Sequence, residues 1–416
     1  MTQESVTEKL VAHLMRPVDE PARQRARLHL LDWLGCVAGA RQSDVARLSV
    51  HDTQADAIRK SAWLGNVLEM DDVHRVATLH PGPVIWPCLL GRRLEPMDNM
   101  LDNAVRGYEA CIAIGSTFDA RHYEYYHNTA TAGYFGAVAA AFDYPSANET
   151  TSQLVSAMGL AGSVAGGFWQ MRHEPGQGKQ WHIVHAIETG INAVTYASGS
   201  VAGPRFILEG PQGLYAATCK DPKAMTLPDQ WRIHDVSFKP WAACRHAHPA
   251  IDVALELKAR LGSLEGDILI ETYADAIAFC DRPEPQSVND AKFSIQHAVA
   301  VIAGSGVPQL ADFEPEAIAA FAGSRNRVTV LEASDISSRY PQHFGARITC
   351  AGETIELVDT RGDPERPLST EGIIEKARSL IAWGGLPEKE AERAVDLALD
   401  GDDASAIDKM LTDWLS

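Results

Sequence analysis

The hydrophobic pattern of the chain changes near Ser237, and this change restricts the folds that the chain can adopt. Upstream, apolar residues recur at the spacing of amphipathic helices, and no convincing strand appears. Downstream, strand-like runs are interleaved with helical segments, and two runs flank Ala351 and Gly352 as in a hairpin. Helical spacing returns from Thr370 onwards. The sequence therefore predicts a mainly α fold with an α+β second domain whose sheet is antiparallel.

The same pattern predicts the domains and their elements. A chain of 416 residues exceeds what one core usually serves, so residues 1–236 with 369–416 are expected to form an all-helical domain and 237–368 an α+β domain. The helices expected in the first domain lie at 5–15, 21–40, 56–70, 84–90, 101–115, 128–142, 154–167, 178–194, 370–383, 387–399 and 404–414. In the second domain, strands are expected at 267–273, 327–332, 346–350 and 353–358, and helices from Pro249, at 291–304 and at 314–322.

The composition excludes several classes of partner. The formal net charge is −18, whereas nucleic acids and anionic membrane surfaces bind cationic faces. No apolar run approaches the roughly 20 residues of a membrane span, and the N-terminus lacks a signal-peptide core. Seven scattered cysteines without a CxxC pair favour reduced thiols and show no zinc framework. We therefore expect a soluble, cytoplasmic protein that binds neither nucleic acid nor membranes.

Ionisable residues crowd the stretch EMDDVHRVATLHPG at 69–82. Within twelve positions it holds three carboxylates, two imidazoles and a guanidinium, namely Glu69, Asp71, Asp72, His74, His80 and Arg75. Groups of different pKa held close together on a loop are what acid/base chemistry requires. A solvated helix end would show a similar composition, so both interpretations stay open for this stretch alone.

A histidine precedes the small, apolar run that begins at Asn128. Because Asn128 or Thr129 is a good N-cap residue, we expect His127 at the mouth of a tightly packed central helix. A helix start offers free N–H groups and a positive dipole end to a carboxylate or phosphate, and an adjacent imidazole can move a proton. Alternatively, His127 only closes the helix start.

A second helix start carries a lysine and two histidines. Lys179 lies beside the start of the helix at 178–194, where its ammonium could hold a carboxylate. His182 and His185 have the i, i+3 spacing of metal ligands, but no third ligand is suitably spaced. Simple solvation is the alternative for all three residues and fits His185 best.

The segment CRHAH at 244–248 allows a different function class. Cys244 could serve as the nucleophile of a Cys/His hydrolase. No oxyanion-hole signature accompanies it, and a structural cysteine is the alternative.

Eight blocks of the chain, in order, resemble the MmgE/PrpD family. They are LHLLDWLGCVAGA, LEMDDVH with LHPGPVIWPCLL, VRGYEACIAIG, HNTATAGYFGAVAAAF, GKQWHIVHAIETGINA, FKPWAACRHAHPAIDVALEL, AKFSIQHAVAV and RGDPERPLS. The family includes 2-methylcitrate dehydratase, cis-aconitate decarboxylase and iminodisuccinate epimerase. The resemblance implies a large helical domain, a smaller α+β lid, a homodimer, and a site in the cleft between the domains that needs no cofactor and no metal.

The resemblance also implies roles for individual residues. The implied catalytic residues are Asp71, Asp72, His80, His127 and His297. The implied substrate-binding residues are Glu69, Lys179, Lys239, Cys244, Arg245 and His248. Some positions depart from the family pattern: Glu69 stands where Asp is usual, Val73 replaces Thr, Asn128 replaces Pro, His297 replaces Tyr, and Ala113 falls where Arg is frequent.

The implied chemistry concerns small acids with two or three carboxylates. These enzymes labilise a C–H or C–C bond next to a carboxylate, so an anionic intermediate must be stabilised electrostatically. The sequence leaves dehydration, decarboxylation and epimerisation open. A non-catalytic member of the family that binds a carboxylate is the main alternative, because several family positions are substituted.

Overall fold

A computed structural model describes residues 4–49, 57–90, 96–144, 150–174 and 176–416. The chain divides into two compact units. The first unit comprises Met1–Val67, Asp71–Val236 and Thr370–Ser416, and the second comprises Leu68–Met70 and Ser237–Ser369. Among the described residues, no helix is long and apolar enough to cross a membrane. The expected domain limits stay a prediction, because compactness alone does not show that a part folds independently.

The described residues of the first unit form helices and short 3₁₀ turns, with no strand beyond isolated bridges. Local signals fix the helix starts, as where Ser5 and Glu8 form a reciprocal capping box. The helices before Val236 are α1 (Val6–Leu14), α2 (Glu20–Gly39), α3 (Asp44–Ser49), α4 (Ala57–Leu64), α5 (Gly82–Leu89), α6 (Met97–Gly115), α7 (Ala120–Tyr125), α8 (Asn128–Ala141), α9 (Thr150–Gly162), α10 (Gly178–Ser198) and α11 (Leu214–Thr218).

Helix α8 lies at the centre of the first unit, as the sequence predicts. All of its residues are buried, which matches a helix that is small and apolar on every side. Neighbouring helices approach closely at glycines. A Cβ on Gly136 would lie 2.7 Å from Cβ of Cys111 in α6, and one on Gly190 of α10 would lie 2.5 Å from Cβ of Ala137. This close packing holds α8 against α6 and α10.

The second unit combines helices with a four-stranded sheet, so the predicted mainly α fold with an α+β second part is confirmed. Helix α12 begins at His248 with Pro249 in its first turn, as predicted. In chain order the elements are α12 (His248–Leu261), β1 (Ile268–Thr272), α13 (Ala274–Cys280), α14 (Val288–Lys292), α15 (Ile295–Gly304), α16 (Pro315–Ala320), α17 (Ala322–Arg325), β2 (Val328–Glu332), α18 (Ser334–Ser337), β3 (Ala346–Cys350) and β4 (Glu353–Leu357).

The sheet has the strand order β2-β1-β3-β4 and is mixed. The prediction of an antiparallel sheet is wrong for one pair, because β1 and β2 run parallel with Ile270 opposite Val330. The reason is the long helical connection between them, since parallel strands need such a crossover. The remaining pairs are antiparallel, and β3 and β4 form the predicted hairpin, where Ala351 and Gly352 adopt φ of 51° and 82°.

The chain after Ser369 returns to the first unit as α19 (Thr370–Trp383), α20 (Glu388–Leu399) and α21 (Ala404–Leu415). These bounds agree closely with the predicted helices. Helix α19 packs against α2, where a Cβ on Gly35 would lie 3.0 Å from Cα of Ala377. A buried ion pair between Lys376 and Asp32, 2.5 Å long, lies at the same contact.

Candidate functional site

The loop that carries the carboxylate cluster starts after α4, which ends at Leu64. The prediction that this helix extends to Met70 is therefore wrong, and Asp56, its predicted first residue, lies outside the described residues. At Glu69 the backbone adopts the left-handed conformation with φ of 57°, which a right-handed helix cannot contain. The residues that follow, 71–81, form an irregular loop.

Asp71 and His80 make the central contact of this loop. Oδ2 of the buried Asp71 lies 2.8 Å from Nδ1 of His80, and the side chain of Asn66 donates to the same oxygen at 2.6 Å. The backbone N–H of His80 donates to Oγ1 of Thr129 at 3.0 Å and so ties the loop to the first turn of α8. A carboxylate beside Nδ1 orients the ring and leaves Nε2 to exchange a proton.

Asp72, the next carboxylate, is bound on both oxygens. Oδ1 accepts the backbone N–H of Gly82 at 2.8 Å, and Oδ2 accepts the hydroxyl of Tyr108 at 2.6 Å and lies 2.8 Å from Nδ1 of His29. A Cβ at Gly82 would lie 2.7 Å from Oδ1, so this approach requires glycine. Burial raises the pKa of Asp72 to about 6. These contacts support a role in anchoring the start of α5, and the implied catalytic role stays a prediction.

The start of α8 lies one residue earlier than the sequence predicts. The N-cap residue is His127, without a side-chain cap, and not Asn128 or Thr129. The side chain of Asn128 is turned away from the helix and donates to the carbonyl of Ala77 at 3.0 Å. His127 is held by its own backbone N–H, which donates to the carbonyl of Gly167 at 2.8 Å. The polar side chains of this turn therefore fasten the 71–81 loop to α8.

The imidazole of His127 is buried against the segment before α10. Its Nδ1 lies 3.4 Å from Nδ1 of His182, and its ring centroid lies 4.4 Å from that of Trp169. Burial lowers the pKa of His182 and so favours the neutral ring. The structure thus brings His127 to the start of α10, while the bond from His80 to Thr129 holds the second histidine at the same end of α8.

Lys179 lies half-buried in the first turn of α10, one turn before His182. The suggestion that His182 and His185 share a metal finds no support in their contacts. His182 faces His127, whereas Nδ1 of His185 lies 2.6 Å from the hydroxyl of Tyr134. Lys179 therefore lies at the same helix start as His182, which is the residue that contacts His127.

The predicted site residues of the second unit lie in several separate sets of contacts. Lys239 is fully buried, and its Nζ lies 3.6 Å from Oε2 of Glu69. Both residues belong to this unit, because Leu68–Met70 is counted with it. The buried ammonium therefore has a carboxylate of the same chain beside it, which compensates part of the cost of burial.

Arg245 and His248 belong to a buried network around Asp363. The guanidinium of Arg245 donates to Oδ1 of Asp363 and to the carbonyl of Arg361. Nδ1 of His248 lies 3.2 Å from Nη1 of Arg245, and Nε2 lies 3.0 Å from the carbonyl of Ala243. Both nitrogens of this ring are therefore occupied, as in a neutral imidazole that donates from Nε2. Substrate binding by these two residues stays a prediction.

Cys244 is buried, and its backbone N–H donates to the carbonyl of Lys292 at 2.8 Å. Burial raises the pKa of the Cys280 thiol well above its ordinary value, and Cys244 contributes in the same direction. His246 directs Nδ1 to the hydroxyl of Tyr273 at 2.9 Å. The two neighbouring imidazoles are engaged by other groups, His246 by Tyr273 and His248 by Arg245 and Ala243, so the geometry gives no support to a Cys/His hydrolase.

His297 has a structural environment. Nε2 lies 2.7 Å from the carbonyl of Asp312, and Nη1 of Arg325 lies 3.2 Å from Nδ1. The ring also meets Phe313 and Phe321 edge to face. Burial lowers the pKa of His297. These contacts fit a neutral packing residue, and the implied proton-donor role stays a prediction.

Sequence reasoning missed several residues that position the site. Asn66 and Thr129 hold Asp71 and His80, Tyr108 and His29 hold Asp72, and Trp169 covers His127. Only Asn66 and Thr129 lie near a predicted site residue in the sequence, where a short polar side chain beside the cluster is a usable signal. The contacts of His29, Tyr108 and Trp169 depend on helix packing. The structure places the implied residues Asp71, Asp72, His80, His127 and Lys179 in the first unit and Glu69, Lys239, Cys244, Arg245, His248 and His297 in the second. A common cleft for both sets stays a prediction.

Models of known protein families match most of the chain. Residues 53–226 match the MmgE/PrpD N-terminal domain, and residues 241–401 match the MmgE/PrpD C-terminal domain. The chain belongs to the MmgE/PrpD family, and this membership supports a lyase-type function in general. No curated protein matches the chain significantly.

Proposed function

We propose that the protein is a cofactor-independent lyase or isomerase that acts on a small di- or tricarboxylic acid by moving a proton next to a carboxylate. The observation that carries the proposal is the contact between Asp71 and His80, 2.8 Å long, on a loop bonded to the start of α8. A carboxylate-oriented imidazole is a common general base. Membership of the MmgE/PrpD family supports the lyase class.

Nε2 of His80 would take the proton from the substrate carbon next to a carboxylate. Asp71 stabilises the imidazolium that forms, since its Oδ2 faces Nδ1. The two electrons of the C–H bond pass into the substrate as an enolate-like anion. The free N–H groups at the start of α8 and the ammonium of Lys179 would stabilise the carboxylates of this anion.

His127 is the second proton carrier of the proposal, because it lies at the same helix start. In a dehydration it would protonate a leaving hydroxyl group, which departs as water. In an epimerisation it would return a proton to the opposite face of the carbon. In a decarboxylation the electron pair comes from the C–C bond as CO₂ leaves, and an imidazole protonates the carbon. Dehydration and epimerisation share the anion that forms when the C–H bond breaks and differ in its fate, whereas decarboxylation forms a carbanion by breaking the C–C bond.

A carboxylate-binding protein without turnover is the second candidate. One contact favours it: Lys239, an implied substrate-binding residue, already lies 3.6 Å from Glu69. An ammonium that has an internal carboxylate partner attracts a substrate carboxylate less strongly.

Proton NMR in D₂O separates the two candidates. The protein is incubated with a panel of di- and tricarboxylic acids, and deuterium next to a carboxylate is measured over time. Exchange that is catalysed by the wild type, lost in His80→Ala and kept in His297→Ala supports the proposed base. Binding of an acid without exchange or conversion would support the non-catalytic candidate.

A further inference from the structure

We propose that the second unit carries a binding site for a divalent transition-metal ion, with His343, Asp359 and Glu365 as its protein ligands. Each residue offers one ligand atom, and these atoms all lie within 4.8 Å of one another. Nδ1 of His343 lies 2.6 Å from Oδ1 of Asp359. This is the one group of three such donors found among the described residues. None of the three is a residue implied in the carboxylic acid chemistry.

The backbone holds the three side chains on two anchored segments, one with His343 and one with Asp359 and Glu365. His343 precedes the buried Phe344, and its N–H donates to the carbonyl of Arg339 at 3.0 Å. Asp359 follows β4 and precedes Thr360, whose buried hydroxyl donates to Asp252. A site whose ligands sit on fixed segments loses little conformational entropy when an ion binds.

Glu365 lies in a closed turn of the same segment as Asp359. The N–H of Gly362 donates to the carbonyl of Arg366 at 2.8 Å, and the N–H of Arg366 donates to the carbonyl of Asp363 at 2.9 Å. Glu365 itself is exposed, whereas Asp363 inside the turn is buried. The third ligand therefore comes from the solvent side, which leaves an entry path for the ion.

The donor set indicates the class of ion. One imidazole nitrogen with two carboxylate oxygens suits zinc and its neighbours in the first transition row, while magnesium and calcium prefer oxygen donors alone. Three protein ligands leave room for water to complete a tetrahedral or five-coordinate shell. The two carboxylates also balance the charge of a divalent cation.

The ion would brace the loop at 359–366. Asp363 in this loop accepts hydrogen bonds from Arg245 and from Ser237. A metal bound between His343 and the two ends of the loop restrains the backbone that presents Asp363, and so stabilises the network around Arg245. The inference does not depend on the proposed function, because the role of the ion is structural.

Zinc titration of the full chain tests the site. Protein stripped with a chelator and then freed of it is titrated with Zn²⁺ in competition with a chromogenic chelator. We expect one ion per chain. His343→Ala removes a direct ligand, so it should lower the affinity for Zn²⁺ by more than the roughly 10- to 100-fold loss that is typical when an outer-shell partner is removed. Glu365→Gln, an exposed change that leaves the fold undisturbed, should weaken binding at least about tenfold. His173→Ala, which removes an exposed imidazole in the first unit, is the matched control.

Two further measurements keep the inference open to refutation. Hydrogen exchange at 359–366 should slow when Zn²⁺ is added to the wild type, and should not respond in Glu365→Gln. Co²⁺ in place of Zn²⁺ should give a visible spectrum without the intense near-ultraviolet band of a thiolate ligand. The site is refuted if the wild type binds no stoichiometric ion, if the variants bind as the wild type does, or if the thiolate band assigns the ion to cysteines.

Discussion

His80 in the first unit and His297 in the second are both largely buried imidazoles, yet their ring nitrogens are used differently. Nδ1 of His80 faces Asp71, and within the part of the chain that the structure describes Nε2 makes no hydrogen bond. In His297, Asp312 occupies one nitrogen and Arg325 the other. An imidazole with one nitrogen engaged can exchange a proton through the other, whereas one with both engaged is fixed in a single tautomer.

His248 shows the same doubly engaged state as His297, with Arg245 on one nitrogen and the carbonyl of Ala243 on the other. Residue type and burial therefore do not identify a proton carrier in this protein. The useful criterion is whether both ring nitrogens make hydrogen bonds. On this criterion His80 differs from His248 and His297, and proton transfer by His80 and His127 stays a proposal.

The largest effect should come from removing a proton carrier. We expect His80→Ala or His127→Ala to lower kcat by roughly 100-fold or more, the scale typical of a lost general acid or base, with a smaller change in KM. Steady-state kinetics on the substrate found by NMR measures this. A wild-type kcat in His80→Ala would contradict the proposal that His80 moves a proton.

The second test concerns the doubly engaged ring. His297→Ala should lower the free energy of unfolding by about 2 to 4 kcal/mol, because it leaves a cavity and two buried polar partners without the imidazole. Its kcat should stay within about threefold of the wild type. Urea unfolding and kinetics on the same preparation check both statements. A loss of turnover at unchanged stability, or a pH profile shifted in His297→Tyr, would return the proton-donor role to this residue.

Buried neutral histidines should also make the free energy of unfolding depend on pH. Burial lowers the pKa of His74 from 6.5 to about 3, so between these values the unfolded chain binds a proton that the native protein does not. Stability from this residue is present above pH 6.5 and is lost as pH falls towards 3. His74→Gln should therefore reduce the slope of unfolding free energy against pH by up to about 1.4 kcal/mol per pH unit. Equal slopes in denaturant titrations of the two proteins would contradict this.

A smaller effect is expected where a residue binds substrate without moving a proton. Lys179→Ala should raise KM by roughly tenfold, as expected for one lost charge-assisted contact, with less effect on kcat. Lys220→Ala, which removes an exposed lysine of the same unit, is the matched control. An unchanged KM in Lys179→Ala would remove this residue from the site.

The last prediction is that removing metal ions has no effect on turnover. Prolonged chelation should leave turnover unchanged, because the proposal uses imidazoles and carboxylates as proton carriers and not as metal ligands. Loss of activity that one divalent ion restores equally in the wild type and in Glu365→Gln would instead assign Asp71, Asp72 and His80 to a metal. The same chelation is expected to lower thermal stability if His343, Asp359 and Glu365 hold an ion.

Local patterns predicted much of the fold. The hairpin at Ala351 and Gly352 and the helix that begins near Pro249 follow from turn and capping chemistry within a few residues. The parallel pairing of β1 and β2 does not, since it depends on how the intervening helices pack. The sequence also could not predict that Glu69 adopts the left-handed conformation in the loop after α4, because this conformation is rare for this residue type.

For the site, sequence reasoning found the residue types and not their partners. A charge cluster and a helix start point to Asp71, His80 and His127, whose roles stay predictions, and the loop between Asp71 and His80 is short enough for contact. That His297 is enclosed by Asp312 and Arg325 could not be predicted, because these contacts join segments brought together by tertiary packing.

The contact between Lys239 and Glu69 limits how the second unit can be exchanged between relatives. A fragment cut to Ser237–Ser369 would lack the carboxylate that lies 3.6 Å from Nζ of Lys239, because Glu69 comes from a distant part of the sequence. Removing one partner of a buried ion pair typically costs about 3 to 5 kcal/mol, or the remaining group loses its charge. A chimera should therefore transfer Leu68–Met70 together with the α+β unit, and positions 69 and 239 should be expected to change together during evolution.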